Sequence, residues 1–107
     1  MAPDALDTLL ADLRQRLAAL YGERLVQLVL YGSHARGEAT EDSDVDVLVV
    51  LSGEVNVLRE IARVSEASLA VDLAHDTLVS LHPISEQEFD AGTTTLARVV
   101  QRHGVAV

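Results

Sequence analysis

The chain has 107 residues, 49% of them hydrophobic, enough for one small domain with its own core and too few for two. Its 17 acidic residues outweigh 8 basic ones, all arginine, for a formal net charge of -9. That balance argues against a direct nucleic-acid surface, which needs concentrated positive charge against phosphates, and suits a divalent cation or a basic partner.

In chain order, Asp4 is placed to cap a first helix in which Leu6, Leu9, Leu10, Leu13, Leu17 and Leu20 recur at three-to-four spacing, with Gly22 as its stop. Asp7, Asp12, Arg14 and Arg16 fall off that stripe and read as a solvated face. From Arg24 the run LVQLVLY is short and nearly all apolar, which predicts a buried strand delivering the chain to Gly32. The segment GSHARGEATEDS has the glycines and small polar residues of a loop, with a helical turn expected around Ser33 to Arg36. Val45, Val47, Val49 and Leu51 then alternate with Asp44, Asp46, Leu48 and Val50 in a second strand. Strand alternation puts Asp44 and Asp46 on one face.

Ser52 and Gly53 make a turn, after which Val57, Leu58, Ile61, Val64, Ser68 and Val71 predict a long helix reaching about Ala74. A third strand is expected from Thr77 to Ile84, with Pro83 marking a sheet edge and the helical crossover favouring parallel pairing. Ser85 and Glu88 form a capping box ahead of a short helix containing Phe89. Leu96, Val99, Val100 and His103 mark a last helix, closed by Gly104 and an apolar tail, Val105 to Val107. The predicted class is α/β, a small mixed sheet packed against helices, in a single domain over 1–107.

The chemistry concentrates between Leu30 and Leu51. Five carboxylates, Glu38, Glu41, Asp42, Asp44 and Asp46, lie within nine residues. Like charges so close are costly unless a cation joins them, and magnesium binds one or two protein carboxylates together with substrate phosphates. Asp44 and Asp46 are the candidate metal ligands and catalytic residues, while Glu38, Glu41 and Asp42 read as loop solvation. Gly32 lets backbone approach a phosphate, Ser33 adds a hydroxyl donor, and Arg36 is placed either to offset phosphate charge or to pair with a neighbouring acid. The absence of lysine rules out a P-loop, and the absence of cysteine rules out thiolate zinc sites. His34 has no acid placed to orient it as a base, and His75, His82 and His103 lack the spacing of a zinc site.

Gly32-Ser33, ten intervening residues, then Asp44-x-Asp46 opening a valine-rich strand resembles the signature of the minimal nucleotidyltransferases of the DNA polymerase β superfamily. Leu30-Tyr31 before the Gly-Ser pair, Ala35-Arg36-Gly37, and Ser43 before Asp44 extend the likeness. The resemblance implies Mg²⁺-dependent transfer of a nucleoside monophosphate, AMP from ATP, to an acceptor hydroxyl with release of pyrophosphate. It places the triphosphate on Gly32 and Ser33 and the metal on Asp44 and Asp46. Stand-alone members of this size often serve as antitoxins of HEPN-type toxins, some by attaching AMP to a toxin tyrosine. Active members also carry a third carboxylate on the strand after the long helix, whereas this strand has Ser80 near that place, with Asp72 and Asp76 just before it. The resemblance therefore admits an enzyme or an inactive antitoxin that neutralises its partner by binding.

No apolar run approaches the roughly 20 residues of a bilayer span. The first residues carry acids where a secretory signal carries basic residues, so the expected location is cytoplasmic.

Overall fold

In the computed structural model, which describes residues 1–107, the chain runs through α1 (Pro3–Tyr21), a 3₁₀ turn (Gly22–Arg24), β1 (Leu25–Tyr31), the single-turn α2 (Ser33–Arg36) and β2 (Val45–Leu51). It continues through α3 (Val57–His75), β3 (Val79–Ser85), α4 (Glu86–Ala91), α5 (Thr95–His103) and β4 (Val105–Ala106). The strands form one sheet in the order β3-β2-β1-β4. β2 runs antiparallel to β1 and parallel to β3, so the class is α/β with a mixed sheet. The β2-α3-β3 crossover is the parallel unit that the long helix predicts.

β2 is apolar on both sides because both sides are covered. Val45, Val47, Val49 and Leu51 face α1 and α3, joining Leu9, Leu13, Leu17, Val64 and Val71 in the main core. Leu48 and Val50 face the other way, into a smaller cluster with Val29, Ile84, Phe89, Ala97 and Val100 under α4 and α5. The second cover is short. Along that face Leu48, Val50 and Ile84 are buried, whereas Asp46 is half-buried and Ser80 and His82 are exposed. The uncovered end is the N-terminal end of β2 and β3, where the Gly32 loop also lies.

Several local expectations are corrected. Asp4 does not cap α1: Ala2 takes the extended position before the helix, Pro3 opens it, and Asp4 lies inside the first turn, where its charge meets the positive end of the helix dipole. Leu20 is 45% exposed and Tyr21 is buried in its place, its hydroxyl donating to Glu60 Oε1 at 3.0 Å. The stripe drawn on α3 is rotated. Leu58 is 82% exposed and Ile61 43%, while the helix meets the sheet through Glu60, Val64 and Val71. Apolar residues occur all round this helix, including exposed Leu69 and Leu73, so periodicity alone leaves its orientation open.

The apolar tail is a strand. Val105 and Ala106 pair with Leu30 and Val29, and the Val107 amide donates to the Leu28 carbonyl at 2.9 Å. Those contacts use backbone groups that β1 would otherwise leave open at its edge. Pro83 lies on β3, the opposite edge strand, as its missing amide requires. Ser85 caps α4 as the S-x-x-E pattern predicts, accepting from the Glu88 amide at 3.1 Å.

Truncating the central strand should be costly and truncating the mis-assigned helix stripe should not. Leu48→Ala is expected to lower unfolding free energy by about 2–5 kcal/mol in urea titrations, and Leu58→Ala to stay within about 0.5 kcal/mol of the parent.

Candidate active site

β1 ends at Tyr31 and the chain turns sharply at Gly32, whose φ of 76° belongs to a region that side chains disfavour. The turn runs straight into α2, where the Arg36 amide donates to the Gly32 carbonyl at 3.2 Å. Gly37, at φ 71° in the left-handed region, ends it. In the first turn of a helix the amides lack intrahelical acceptors, so those of Ser33, His34 and Ala35 are available to an anion. Ser33 and His34 are half-buried, and His34 Nε2 lies 3.5 Å from the Ser43 carbonyl across the loop.

The antiparallel register sets Asp46 of β2 opposite Tyr31 of β1, next to Gly32. A β-carbon on Gly32 would collide with Asp46 Oδ2. Gly32 is thus needed twice, for its backbone conformation and for the space the carboxylate occupies. Asp44 precedes the first residue of β2, so alternation does not by itself set its direction. It is nonetheless close enough for its charge to act on Asp46. Burial, then the charge of Asp44, push the Asp46 carboxyl above its ordinary range, while His34 and Arg36 pull in the opposite direction. Burial and the charge of Asp46 likewise push the Tyr31 hydroxyl up.

Tyr31 packs against the smaller core cluster and, opposite Asp46, also forms a wall of the site. The signal for the second role was available in the antiparallel pairing, because residues directly opposite each other present their side chains to the same face. Arg36 Nε pairs with Glu38 Oε2 at 3.0 Å, both side chains well exposed, so its resting partner is the local acid. Glu41 and Asp42 are exposed, as expected of loop solvation.

The parallel register answers the question of the third acid. Ser80 is the direct partner of Asp46 on β3 and belongs to the same open face. Asp72 lies in α3 and accepts from the Val79 amide at 2.8 Å, fastening the start of β3 to the end of the helix. Asp76 is the left-handed residue that terminates α3. His75 Nε2 contacts Asp12 Oδ2 at 2.9 Å and ties α3 to α1, which removes Asp12 from a purely solvated face. No group of three or more His, Cys, Asp or Glu converges anywhere in the molecule. The acids available to a cation beside Gly32 are Asp46 and, close enough to act on it, Asp44. They fit a hard, oxygen-seeking cation that takes its other ligands from water and substrate.

The raised Asp46 carboxyl has a pH consequence. Its native state binds a proton more readily than the unfolded chain, so ionised Asp46 opposes folding above its folded pKa, and this opposition disappears as pH falls through that value. Without added metal, Asp46→Asn should raise the melting temperature at neutral pH, with the gain shrinking toward acid. Asp44→Asn should move the Asp46 carboxyl down in a ¹³C-detected NMR titration, because the repelling charge is gone.

The order of these parts is shared with known proteins. The family described as "Nucleotidyltransferase domain" matches residues 10–106. A Methanocaldococcus jannaschii protein named "Putative protein adenylyltransferase MJ0141" is 29% identical over 72 residues, covering 67% of this chain and 72% of that one. A solved structure described as a "putative minimal nucleotidyltransferase" superposes with a TM-score of 0.60 and 32% identity, over 95% of each chain. A crystal structure of a toxin-antitoxin with AMP-PNP superposes with a TM-score of 0.63 over 89% of this chain and 69% of that one, its 24% identity speaking to fold alone. The match across nearly the whole sequence, with Gly32 packed on Asp46 at the open end of the sheet, means that this chain belongs to the nucleotidyltransferase domain family.

Proposed function

We propose that the protein moves AMP from ATP onto a hydroxyl of a partner protein, with Mg²⁺ held by Asp44 and Asp46. The observation that carries this reading is the carboxylate pair beside the Gly32 turn: two repelling acids, one partly desolvated, next to the open amides of α2. When bound, Mg²⁺ supplies the positive charge that offsets the triphosphate and the departing pyrophosphate. The chain's own groups do the remaining work. Gly32 makes the turn that sets the phosphate-binding amides beside Asp46, and Ser33 adds its hydroxyl and amide as donors. Arg36 is free to turn from Glu38 to phosphate, since an exposed pair of this kind is worth at most about 1 kcal/mol.

In the reaction the acceptor oxygen bonds to the α-phosphorus as the α–β anhydride breaks, and pyrophosphate leaves with the bonding electrons. The acceptor proton passes to water, because Ser80 rather than an acid stands beside Asp46. A protein acceptor is supported by the adenylyltransferase name of the Methanocaldococcus relative, and ATP by the AMP-PNP in the toxin-antitoxin structure of similar fold. That structure and the charge of -9 also support a basic toxin as the partner; its HEPN class and a cytoplasmic meeting place are what the family resemblance implies. No helix is long and apolar enough to cross a membrane.

Ser80 also favours a second reading, an antitoxin that neutralises its partner by contact with little chemistry. Labelled ATP, Mg²⁺ and the co-purified partner separate the two. Transfer of label to the partner, falling by roughly two orders of magnitude in Asp44→Asn, is expected of the enzyme. Neutralisation that survives Asp44→Asn with Asp46→Asn, without transfer in the parent, would establish the binding-only antitoxin. Ser80→Asp places a carboxylate in register with Asp46 and should raise the transfer rate by roughly 10²-fold, the low end of the 10²–10⁴ range of a positioned base.

A further inference from the structure

A cleft of about 1010 Å³ opens at the far end of the sheet from Asp44 and Asp46. It is framed by the 3₁₀ turn, the Gly53–Asn56 turn after β2, the first two turns of α3 and the start of α4. The seven residues of β2 separate it from the aspartates by roughly 20 Å. Only two of its 13 lining residues are hydrophobic, and none is aromatic. Such a lining has no aromatic ring or apolar slot to take a nucleobase and suits a polar ligand instead.

Three of the chain's eight arginines, Arg24, Arg59 and Arg63, converge on this cleft in a molecule of net charge -9. Arg59 and Arg63 stand one helical turn apart on α3, and Arg24 faces them from the 3₁₀ turn. Between them lies Glu60, 2% exposed, whose Oε1 accepts from Tyr21 Oη at 3.0 Å and from Arg63 Nη1 at 3.4 Å, and whose Oε2 lies 3.6 Å from Arg24 Nη1. Arg24 is pinned further, Nη2 donating to the Glu54 carbonyl at 3.1 Å and Nε to the Ser52 carbonyl at 3.4 Å. One buried carboxylate thus orients two guanidinium groups and neutralises only one of them. The Arg59 guanidinium has no hydrogen bond or ion pair at all. Glu54 and Glu88, the other acids of the lining, are exposed and pair with nothing, so they are free to turn toward water.

A buried acid is expensive to desolvate and here serves to hold a fork of positive groups facing open space. We propose that this cleft is a second binding site, for a phosphate-bearing small molecule without an aromatic base, held by Arg24, Arg59 and Arg63. Its volume exceeds that of a lone phosphate; Asn56 Oδ1 caps α3 by accepting from the Arg59 amide at 3.2 Å, which leaves its NH₂ group, with the Gln87 amide, to meet hydroxyls on the rest of the ligand. The site is independent of the proposed adenylyl transfer, because it shares no residue with that centre.

The test is a ¹H–¹⁵N titration of the full chain in EDTA, which silences any metal-dependent binding at Asp44 and Asp46. The probes are inorganic phosphate, pyrophosphate and ribose 5-phosphate, with citrate as the carboxylate arm. Saturable shifts confined to Arg24 and to Asn56 through Arg63, with a Kd of about 1 mM or tighter for a phosphate probe, are expected. Arg59→Ala should weaken that binding about tenfold, and it should fold normally because its side chain is exposed and unpaired. Asp46→Asn should leave the binding unchanged. Absence of saturable shifts, equal binding by Arg59→Ala, shifts centred on Gly32, or citrate binding as tightly as the phosphates would each overturn the proposal.

Discussion

The contact between the Asp46 carboxylate and the Gly32 backbone is the constraint on which the rest of the site depends. It is possible only where the residue after β1 has no side chain, and it brings an acid of the central strand against a turn rich in free amides. Two kinds of partial charge are set side by side. The carboxylates of Asp44 and Asp46 repel each other and call for a cation, while the open first turn of α2 calls for an anion. A metal-bound phosphate, as the proposed function requires, would satisfy both, and neither feature alone would select one.

The sheet explains why this occurs at one end of β2 and not along it. A strand covered on both sides has no room for a charge, and from Val47 to Leu51 every residue is buried. Asp46 is tolerated because α4 and α5 cover Leu48, Val50 and Ile84 but stop short of it, leaving Asp46, Ser80 and the Tyr31 edge on an open surface. The same economy of cover appears at the other end of the sheet, where Glu60 is buried with Tyr21 and two arginines instead of packing as an apolar residue. Each end of the strand pair thus carries a polar cluster, and the apolar middle keeps them apart.

The parallel pairing of β2 and β3 is equally consequential. It sets Ser80 beside Asp46 and assigns Asp72, the nearest acid in sequence, to anchoring the Val79 amide. The chain thus carries two acids at the head of one strand and a serine, not a carboxylate, in register on the next. The two readings proposed for this protein, slow catalysis and binding alone, therefore differ by one side chain on an edge strand.

Local signals accounted for much of this. Gly32, the helical turn at Ser33, the strand after Asp44, the Ser85 cap and the family resemblance were all legible in the sequence, because each depends on residues within a turn or two of one another. What eluded it depended on distant pairs. The direction of α3 was ambiguous because apolar residues surround the helix, and only packing against the sheet chose Val64 and Val71 over Leu58 and Ile61. The tail at Val105 became a strand only because β1 offered an open edge. Tyr31 joined the site through register with Asp46, and Arg24, Arg59 and Arg63 met across 39 residues of sequence around one buried glutamate. The sequence by itself determined which acids, glycines and donors lie together in the Leu30 to Leu51 segment, since close spacing on a strand and turn is a local property. Which side chains complete or fail to complete that chemistry was decided by tertiary structure, because strand register and helix rotation are settled only when the faces pack.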